Sequence, residues 1–415
     1  MGNAQTTESK GPWARLALWK KIFVGMILGV IVGAIMGPEA ALLKPIGTLF
    51  INAIKMLIVP LVFCSLIVGI TSMKDTKKMG RIGAKAIVLY LLTTAVAIAI
   101  GLGLSAFIQP GAGLNMTVSN PDAIAKDAPP LIQTLLNIIP KNPISALAAG
   151  NILQIIVFAI GLGISLVMIG EKGEPAVKLF QSLAEAMYKL TEVVMMFAPY
   201  GIFGLMAWVA GTYGLDVLLP LIKVIGAVYV GALIHVAIFY SGLLSVLGRL
   251  NPIKYLRSLS NPAAVAFTTT SSSGTLPATI KASREELGVS DGVSGFVLPL
   301  GATINMDGTA LYQGVCALFI AQAFGIDLSG ADYLTIILTA TLASIGTAGV
   351  PGAGLIMLSL VLSTVGLPIE GLAIVAGIDR ILDMARTTIN VCGDMMVAVL
   401  VARSEKELDV SRYNA

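Results

Sequence analysis

The stretch "GIDRILDMARTTINVCGD", residues 377–394, places three aspartates and two arginines inside an otherwise apolar region of the chain. The flanking segments, "GLPIEGLAIVA" and "MMVAVLVA", are almost free of charge. Five polar residues recur at offsets of 0, 4, 7, 11 and 15, which on an α-helix fall within an arc of about 80°. These residues are Asp379, Asp383, Arg386, Asn390 and Asp394. The pattern predicts one polar stripe along an apolar helix.

The composition of the whole chain is typical of a membrane protein. Of its 415 residues, 56% are hydrophobic and only 12% are charged, whereas a soluble protein of this length needs far more surface charge. Long apolar runs approach the roughly twenty residues that a helix needs to cross about 30 Å of hydrocarbon. These runs include residues 27–36, 56–70, 87–107 and 152–169. The sequence therefore predicts an all-α polytopic membrane protein.

The positions of the basic residues predict how the chain is oriented. They precede the first predicted span and follow the second, fourth, sixth and last, while the alternate loops are nearly free of lysine and arginine. The positive-inside rule assigns the basic loops to the cytoplasm. The basic residues include Lys85, Arg249, Lys254, Arg257 and Arg403. We therefore expect a multi-pass protein of the plasma (inner) membrane with both termini in the cytoplasm.

The two halves of the chain differ in their apolar segments. The first half predicts six spans, with approximate bounds 17–37, 45–72, 83–108, 129–170, 183–210 and 219–248. Several prolines bend or divide the fourth. By contrast, residues 262–282 contain "TTTSSSGTLP" and are too short and too polar to cross. Because basic residues flank this segment on both sides, we expect it to enter the membrane and return.

A second interrupted segment, about 333–365, contains "SIGTAGVPGAG" at residues 344–354, whose four glycines and one proline disfavour a continuous helix. Non-helical backbone at membrane depth survives only where it is buried in protein or lines a wet cavity. Two broken segments that enter from opposite faces indicate a secondary transporter with inverted repeats and a site near the midplane. The alternative is a packing role, in which small residues let helices approach closely.

The acidic residues of the second half outnumber the basic residues predicted to lie beside them. "GATINMDGTALY", residues 301–312, adds Asp307 to the aspartates of the polar stripe. Four aspartates and two arginines leave a charge of −2 in a dry site, which protons or bound cations must neutralise. An anionic substrate would raise the deficit to −3, which three monovalent cations would balance. A structural ion-pair network is the alternative, and it accounts for only part of the stripe. The charged residues are Asp307, Asp379, Arg380, Asp383, Arg386 and Asp394.

Long motifs across the whole chain resemble those of the glutamate/aspartate transporter family, the sodium:dicarboxylate symporters. They are "SSSGTLP", "LPLGATINMDGTALYQGV", "ASIGTAGVPGAG", "DRILDMARTTINVCGD", "GNILQIIVFAIGLGI" and "FAPYGIFGL". The resemblance implies a prokaryotic-type transporter rather than an enzyme, with eight transmembrane helices and two re-entrant helical hairpins arranged as inverted repeats. It also implies a homotrimer in the lipid bilayer, an elevator mechanism, and no organic cofactor or nucleic-acid partner.

The resemblance further implies two domains, to which successive segments of the chain belong in turn. Residues 12–78 and 111–218 would form the scaffold, with spans 1, 2, 4 and 5. Residues 79–110 and 219–415 would form the transport domain, with spans 3, 6, 7 and 8 and both hairpins. The second hairpin would be the outer gate.

By resemblance, the substrate is an acidic amino acid held between the hairpin tips and span 8. Arg386 would bind its side-chain carboxylate, Asp383 its amino group, and Asn390 with the backbone at Ser272 its main-chain carboxylate. The full substrate-binding set is Thr270, Ser272, Thr309, Val350, Gly354, Asp383, Arg386, Thr387 and Asn390.

The same resemblance implies three sodium sites that use oxygen ligands. The first set is Gly301, Asn305, Asn390 and Asp394. The second set is the backbone of Thr303, Ser344, Ile345 and Thr347. The third set is Tyr90, Thr93, Thr94, Asn305 and Asp307. We interpret Arg380 as a residue that tunes substrate affinity or the return of the empty carrier.

Several alternatives remain open at this point. A proton-coupled glutamate carrier would use the same fold, although such members tend to depart from the intact "NMDGT" motif. A C4-dicarboxylate carrier would leave Asp383 without an amino group to bind. An intramembrane aspartyl protease, with Asp307 and Asp394 as a dyad, is more remote because it leaves both broken segments unexplained. We interpret the single histidine, His235, as a buried or lipid-edge hydrogen-bonding group in preference to a proton relay.

Overall fold

The computed structural model describes residues 18–71, 77–114, 116, 139–214, 218–345, 347, 349 and 352–414. The helices of the first half are α1 (Leu18–Met36), α2 (Lys44–Thr71), α3 (Lys77–Ile108), α4 (Pro143–Ala149), α5 (Ile152–Met168), α6 (Glu174–Met196) and α7 (Ala198–Tyr213). Short 3₁₀ helices, Gly37–Leu43 and Gly170–Gly173, precede α2 and α6.

The second half begins with α8 (Leu218–Leu233), which continues through a π-helical segment (Ile234–Tyr240), a short α-helical turn (Ser241–Leu243) and a second π-helical segment (Leu244–Gly248). The remaining helices are α9 (Pro252–Ser258), α10 (Ser260–Thr269), α11 (Ser272–Glu285), α12 (Asp291–Ile304), α13 (Asp307–Ala323), α14 (Gly330–Ile345), α15 (Ala353–Thr364), α16 (Gly371–Ala376), α17 (Asp379–Ser404) and α18 (Val410–Asn414). The all-helical prediction is confirmed for the described ranges.

Four described helical segments are long and apolar enough to cross a membrane, namely Lys20–Phe50, Gly80–Ile108, Leu219–Gly248 and Asp379–Ser404. A fifth candidate is the pair formed by residues 170–196 and α7, which bend by 50° at their junction. The structure therefore has several apolar helices, as the sequence predicts, and the layout of eight spans stays a prediction.

The predicted span 183–210 differs from the structure, because α6 and α7 divide it at Phe197. Pro199 stands in the first turn of α7, and a proline there has no N–H with which to continue the preceding helix. Of the predicted fourth span, residues 129–138 lie outside the described ranges, and α4 and α5 cover most of the rest.

Both segments that the sequence predicts to be broken are helix pairs in the structure. The first pair, α10 and α11, is interrupted at Thr270, which has a left-handed φ of 52°. Ser271 caps α11 by accepting a hydrogen bond from Gly274 N at 3.0 Å. The second pair, α14 and α15, is separated by residues 346–352. The "NMDGT" stretch is a third interruption, because α12 ends at Ile304 and α13 begins at Asp307.

Helix α17 lies at the centre of the molecule and packs against α10, α12 and α13. In its most apolar window 89% of the residues are buried, compared with 17% in the first candidate span. The stripe of charged residues therefore faces other helices and not lipid. Among the other helices, α1 packs against α7, and α2 packs against both α5 and α6.

Candidate transport site

Arg386 forms one end of the polar interior. Its side chain is fully buried, with Nη1 2.6 Å from Asp379 Oδ1 and Nη2 2.8 Å from Asp383 Oδ1. The guanidinium carbon lies 4.2 Å from the centre of the Tyr312 ring, which is a favourable cation–π distance. A buried arginine between two carboxylates is a strongly charged group that the surrounding helices hold in place.

The guanidinium of Arg386 retains hydrogen-bonding capacity despite these contacts. Within the described ranges, its Nε and Nη2 have no hydrogen-bond partner of good geometry. Gly354 lies directly against it, because a Cβ added there would stand 2.8 Å from the guanidinium carbon. Buried donors without partners are uncommon, and a planar guanidinium fork matches a carboxylate. This end of the site is thus suited to bind an anion.

A small cavity opens beside Arg386, between the two broken helix pairs and α17. Seven of the nine predicted substrate residues line it: Thr270, Ser272, Thr309, Gly354, Asp383, Thr387 and Asn390. Arg386 is adjacent through its contact with Gly354, and Val350 lies outside the described residues. The structure therefore brings most of the predicted set together.

The tips of the two helix pairs meet at this cavity. Ser271 Oγ donates to Gly349 O at 2.8 Å, and Ser273 N donates to the same carbonyl at 3.3 Å. The N-terminus of the second pair's returning helix also faces α17, since Gly352 N donates to Asp383 Oδ2 at 3.2 Å. Helix N-termini that converge in this way favour negative charge between them.

Arg380 does not line this cavity, but it contacts a residue that does. Its guanidinium donates a hydrogen bond to Thr270 Oγ1 at the tip of the first pair. It is only partly buried, whereas Arg386 is fully buried. Arg380 thus connects α17 to the interruption between α10 and α11.

The other end of the polar interior contains Asp394 without a cationic partner among the described residues. Asn305 Nδ2 donates to Asp394 Oδ1 at 2.9 Å and to Asn390 O at 3.2 Å. Asn390 Oδ1 in turn accepts from Gly308 N at 2.8 Å. The Oδ1 atom of Asn305 is buried and has no hydrogen-bond partner in the described part of the chain. A carbonyl-type oxygen left in this position, next to a carboxylate, suits a hard monovalent cation.

Asp307 is also fully buried, and three side chains from two helical segments surround its carboxylate. Thr94 Oγ1 donates to Oδ1 at 2.6 Å, and Tyr240 OH donates to Oδ2 at 2.5 Å. His235 Nε2 lies 3.3 Å from the same Oδ2. The prediction that His235 is buried and hydrogen-bonded agrees with this position.

Two other predicted ligands of the third sodium set, Thr93 and Tyr90, are hydrogen-bonded to backbone carbonyls and not to Asp307. Thr93 Oγ1 donates to Tyr90 O at 3.1 Å, within its own helix. Tyr90 OH donates to Val297 O at 3.0 Å. Thr94 is therefore the hydroxyl of "YLLTT" that hydrogen-bonds to the Asp307 carboxylate.

The second predicted sodium set lies where the tip of the second helix pair meets α12. A Cβ added at Gly349 would stand 2.6 Å from Ala302 O, so the tip packs closely on the last turn of α12. The hydroxyls of this set are bonded within their own segments: Thr303 to Leu300 O at 2.9 Å, Ser344 to Thr341 O at 2.8 Å and Thr347 to Ala343 O at 2.9 Å. Of Ile345, the structure describes the backbone at the end of α14. The prediction for this set concerns backbone groups, and it stays a prediction.

Sequence reasoning missed Tyr240 and gave His235 no partner. Residues five apart do not share a face of an α-helix, so periodicity gives no signal for this pair. The π-helical segment Ile234–Tyr240, with its i→i+5 spacing, brings both side chains to one carboxylate. Tyr312, which lies against Arg386, was missed because an aromatic residue in an apolar helix reads as packing.

Comparison with known proteins identifies the class. The model of the sodium:dicarboxylate symporter family matches residues 18–404. The chain is 39% identical over 404 residues to a proton/sodium-glutamate symport protein of Bacillus caldotenax, covering 94% of this chain and 95% of that protein. It is 37% identical over 411 residues to a proton/glutamate-aspartate symporter of Escherichia coli (strain K12), with 94% and 93% covered. It is 35% identical over 399 residues to a C4-dicarboxylate transport protein of Bacillus subtilis (strain 168), with 94% of each covered.

The chain belongs to the sodium:dicarboxylate symporter family. The resemblance noted from its motifs is thereby confirmed. The family and these relatives are transporters, which supports a non-enzymatic role in the membrane. The relatives are named for glutamate, aspartate and C4-dicarboxylate substrates, and for protons as well as sodium.

Proposed function

We propose that this protein takes up an acidic amino acid, L-aspartate or L-glutamate, by sodium symport. The observation that supports this most directly is the pairing of Arg386 with Asp383 at one cavity. An amino acid with an acidic side chain carries a carboxylate for the first and an ammonium group for the second. A C4-dicarboxylate has no ammonium group, so it would leave the Asp383 carboxylate buried beside a second anion.

In the proposed complex, Arg386 binds the side-chain carboxylate through its guanidinium fork. Asp383 accepts hydrogen bonds from the amino group, and Asn390 with the N-terminus of α11 binds the main-chain carboxylate. Arg386 would have to share its donors between Asp383 and the substrate. Its Nε, which has no hydrogen-bond partner among the described residues, supports this, since only Nη2 is paired with Asp383. The remaining predicted residues shape the cavity, and Arg380 adjusts the position of the first helix-pair tip through Thr270.

Sodium ions are the proposed co-transported cargo. Asp394 and Asp307 are buried carboxylates surrounded by amide, hydroxyl and carbonyl groups, and such oxygen donors suit alkali cations. The orphaned Asn305 Oδ1 supports a cation between these two aspartates. Three sodium ions per substrate would balance the charge of the site, and this stoichiometry is part of the proposal.

We further propose a homotrimer in which the transport domain moves as an elevator past the scaffold. The packing of α1 on α7 and of α2 on α5 and α6 supports a separate scaffold, and the central position of α17 supports a compact transport domain. The contact between Ser271 and Gly349 supports a gate formed by the second helix pair, since few hydrogen bonds would break on opening. Native mass spectrometry of the detergent-solubilised protein tests the trimer directly.

The first experiment is uptake of radiolabelled L-aspartate into proteoliposomes. An inward sodium gradient is compared with an inward proton gradient in sodium-free buffer, and protein-free liposomes provide the background. We expect uptake with sodium alone. Uptake with protons alone would contradict sodium coupling and would indicate that Asp307 and Asp394 titrate during transport.

The names of the relatives favour a second candidate, a proton-coupled carrier of the same substrates. The two candidates differ in their dependence on sodium, which the same experiment measures. Competition by unlabelled succinate distinguishes the dicarboxylate alternative, because succinate lacks the amino group that Asp383 is proposed to bind. We expect succinate to leave L-aspartate uptake unchanged at concentrations where unlabelled L-aspartate abolishes it.

A further inference from the structure

A groove of about 640 Å³ lies away from the transport site, where three candidate spans end at the same side of the molecule. It is formed by the beginning of α3, the end of the π-helical continuation of α8 and the end of α17. The bounds of these spans, at Gly80, Gly248 and Ser404, place the groove at a membrane boundary. The positive-inside rule predicts that this boundary is on the cytoplasmic side.

Both cationic and apolar side chains line the groove. Lys85, Arg249 and Arg403 supply the charge. Val88 is 65% exposed and Leu247 is 58% exposed, and both lie within candidate spans where lipid is the surrounding solvent. The occupant that fits such a lining has an anionic end and an apolar end.

Two of the three cations have no carboxylate partner among the described residues. Lys85 Nζ is 2.6 Å from Glu405 Oε1, and that carboxylate also pairs with Arg81. Arg403 Nε donates to Gly248 O at 3.2 Å, so the end of the neighbouring helix accounts for one edge of its guanidinium. Arg249 follows that helix end with a left-handed φ of 52° and is exposed. Arg249 and Arg403 therefore give the groove a net positive charge.

We propose that this groove binds a phospholipid with an anionic headgroup from the surrounding leaflet. Arg249 and Arg403 would bind the phosphate through their guanidinium groups, and an acyl chain would lie along Val88 and Leu247. A soluble anion would use the cations and leave the apolar wall exposed, whereas a phospholipid uses both. The groove is separate from the transport cavity, so this inference does not depend on the proposed substrate.

The test is native mass spectrometry of the detergent-solubilised protein during titration with phosphatidylglycerol or phosphatidylcholine of equal chain length. We expect phosphatidylglycerol to bind more tightly, and R249Q to weaken it by about 5-fold, the effect of one cation near a membrane surface. Arg257→Gln is the matched control, because Arg257 is an exposed arginine on the same side that does not line the groove. We expect the control to bind phosphatidylglycerol like the unmodified protein.

Three results would overturn the proposal. The first is equal affinity for the two lipids, and the second is a loss of phosphatidylglycerol affinity in R257Q as large as that in R249Q. The third is displacement of phosphatidylglycerol by a 50-fold excess of inorganic phosphate, which would indicate a small-anion site. Leu247→Ser provides a second, charge-neutral test, because only a lipid ligand should bind less tightly when the apolar wall is weakened. Thermal unfolding of each variant without added lipid identifies any that are misfolded. If R249Q is misfolded, Arg249→Lys replaces it, with an expected partial loss of affinity for phosphatidylglycerol.

Discussion

The two ends of the polar interior contain the same acidic residue type and differ in what surrounds it. At one end, Asp379 and Asp383 lie within 3 Å of the buried Arg386 guanidinium. At the other, Asp307 and Asp394 have amide, hydroxyl and imidazole partners and no lysine or arginine partner among the described residues. Counting Arg380, the first end is neutral as it stands, and the uncompensated charge of −2 is confined to the second. One end is thus prepared for an anion and the other for cations.

This separation explains how one helix can serve both ligands. Asp383 and Asp394 are eleven residues apart on α17, which corresponds to about 16 Å along the axis. At that distance the electrostatic interaction between a charge at one end and a charge at the other is weak if water or polar groups intervene, and it is stronger in a dry interior. Binding at the two ends would therefore be coupled through charge, and through Asn390, which contacts both regions.

The largest expected effect comes from changing the arginine end while keeping its charge. In Arg386→Lys the ammonium keeps one positive charge beside Asp379 and Asp383, but it cannot bind a carboxylate with a planar fork. We expect L-aspartate uptake to fall by about 100-fold, corresponding to the loss of a charge-assisted hydrogen bond. Arg380→Lys is the matched control on the same helix, with a loss of no more than about 5-fold. Equal losses in the two variants would show that the buried arginine has no special role.

The second prediction concerns the end of the polar interior that is proposed to bind cations, where a substitution removes the charge of Asp394. Asp394→Asn keeps the shape of the side chain and removes one of the two uncompensated charges. We expect the apparent affinity for sodium to fall by at least about 10-fold, since a full charge on a hard cation's ligand is lost. Sodium dependence of uptake measures this effect, and saturating sodium should restore part of the rate. An unchanged sodium dependence, with normal protein yield, would remove Asp394 from the proposed ligands.

A smaller effect is expected from the groups that orient Asp307. Tyr240→Phe removes the 2.5 Å hydrogen bond to Oδ2 and leaves the packing of the ring in place. We expect sodium affinity to fall by about 3- to 10-fold, in keeping with one hydrogen bond to a charged group. The affinity for L-aspartate at saturating sodium should change little.

His235→Gln is the companion variant for Tyr240→Phe, because an amide can still donate to Asp307 from the same helix. We expect it to stay within about 3-fold of the unmodified protein in sodium affinity. If Tyr240→Phe shifts substrate affinity as strongly as sodium affinity, its effect is a general one on structure and not an effect on the carboxylate.

The stripe on α17 and the two broken helix pairs could be predicted from the sequence because each depends on local chemistry. Most of the cavity lining was predicted by the resemblance to the family. Charges at helical spacing and glycine-rich interruptions are visible in a single chain. The contacts of Asp307 with Tyr240 and His235 were not visible, since they depend on a π-helical register. The bend at Phe197 was also not predicted. Pro199 lies within an apolar stretch that reads as one continuous span, so the sequence did not show that a new helix begins there.

The smallest expected effect is at Glu405, a carboxylate at the membrane boundary that pairs with two cations, Arg81 and Lys85. Hydrogen bonds from Arg81 and Lys85 lower the pKa of the Glu405 carboxyl to about 2, against 4.5 ordinarily. Because the folded-state pKa is depressed, this pairing stabilises the fold above about pH 4.5, and the contribution is lost as the pH falls toward 2. We expect Glu405→Gln to lower the Tm by about 1 °C at pH 7, with a smaller difference near pH 3. Both values come from thermal unfolding in detergent.

Glu405→Gln also separates charge pairing from ligand binding. Arg81 is 59% exposed in its pair, so water and salt screen the interaction, whereas Arg386 is 1% exposed. We therefore expect salt to reduce the Glu405→Gln effect and L-aspartate uptake to stay unchanged in this variant. A loss of uptake comparable to that of Arg386→Lys would mean that ion pairs with α17 matter for its position wherever they occur. The difference in burial between Arg386 and Arg81 would then have no bearing on transport.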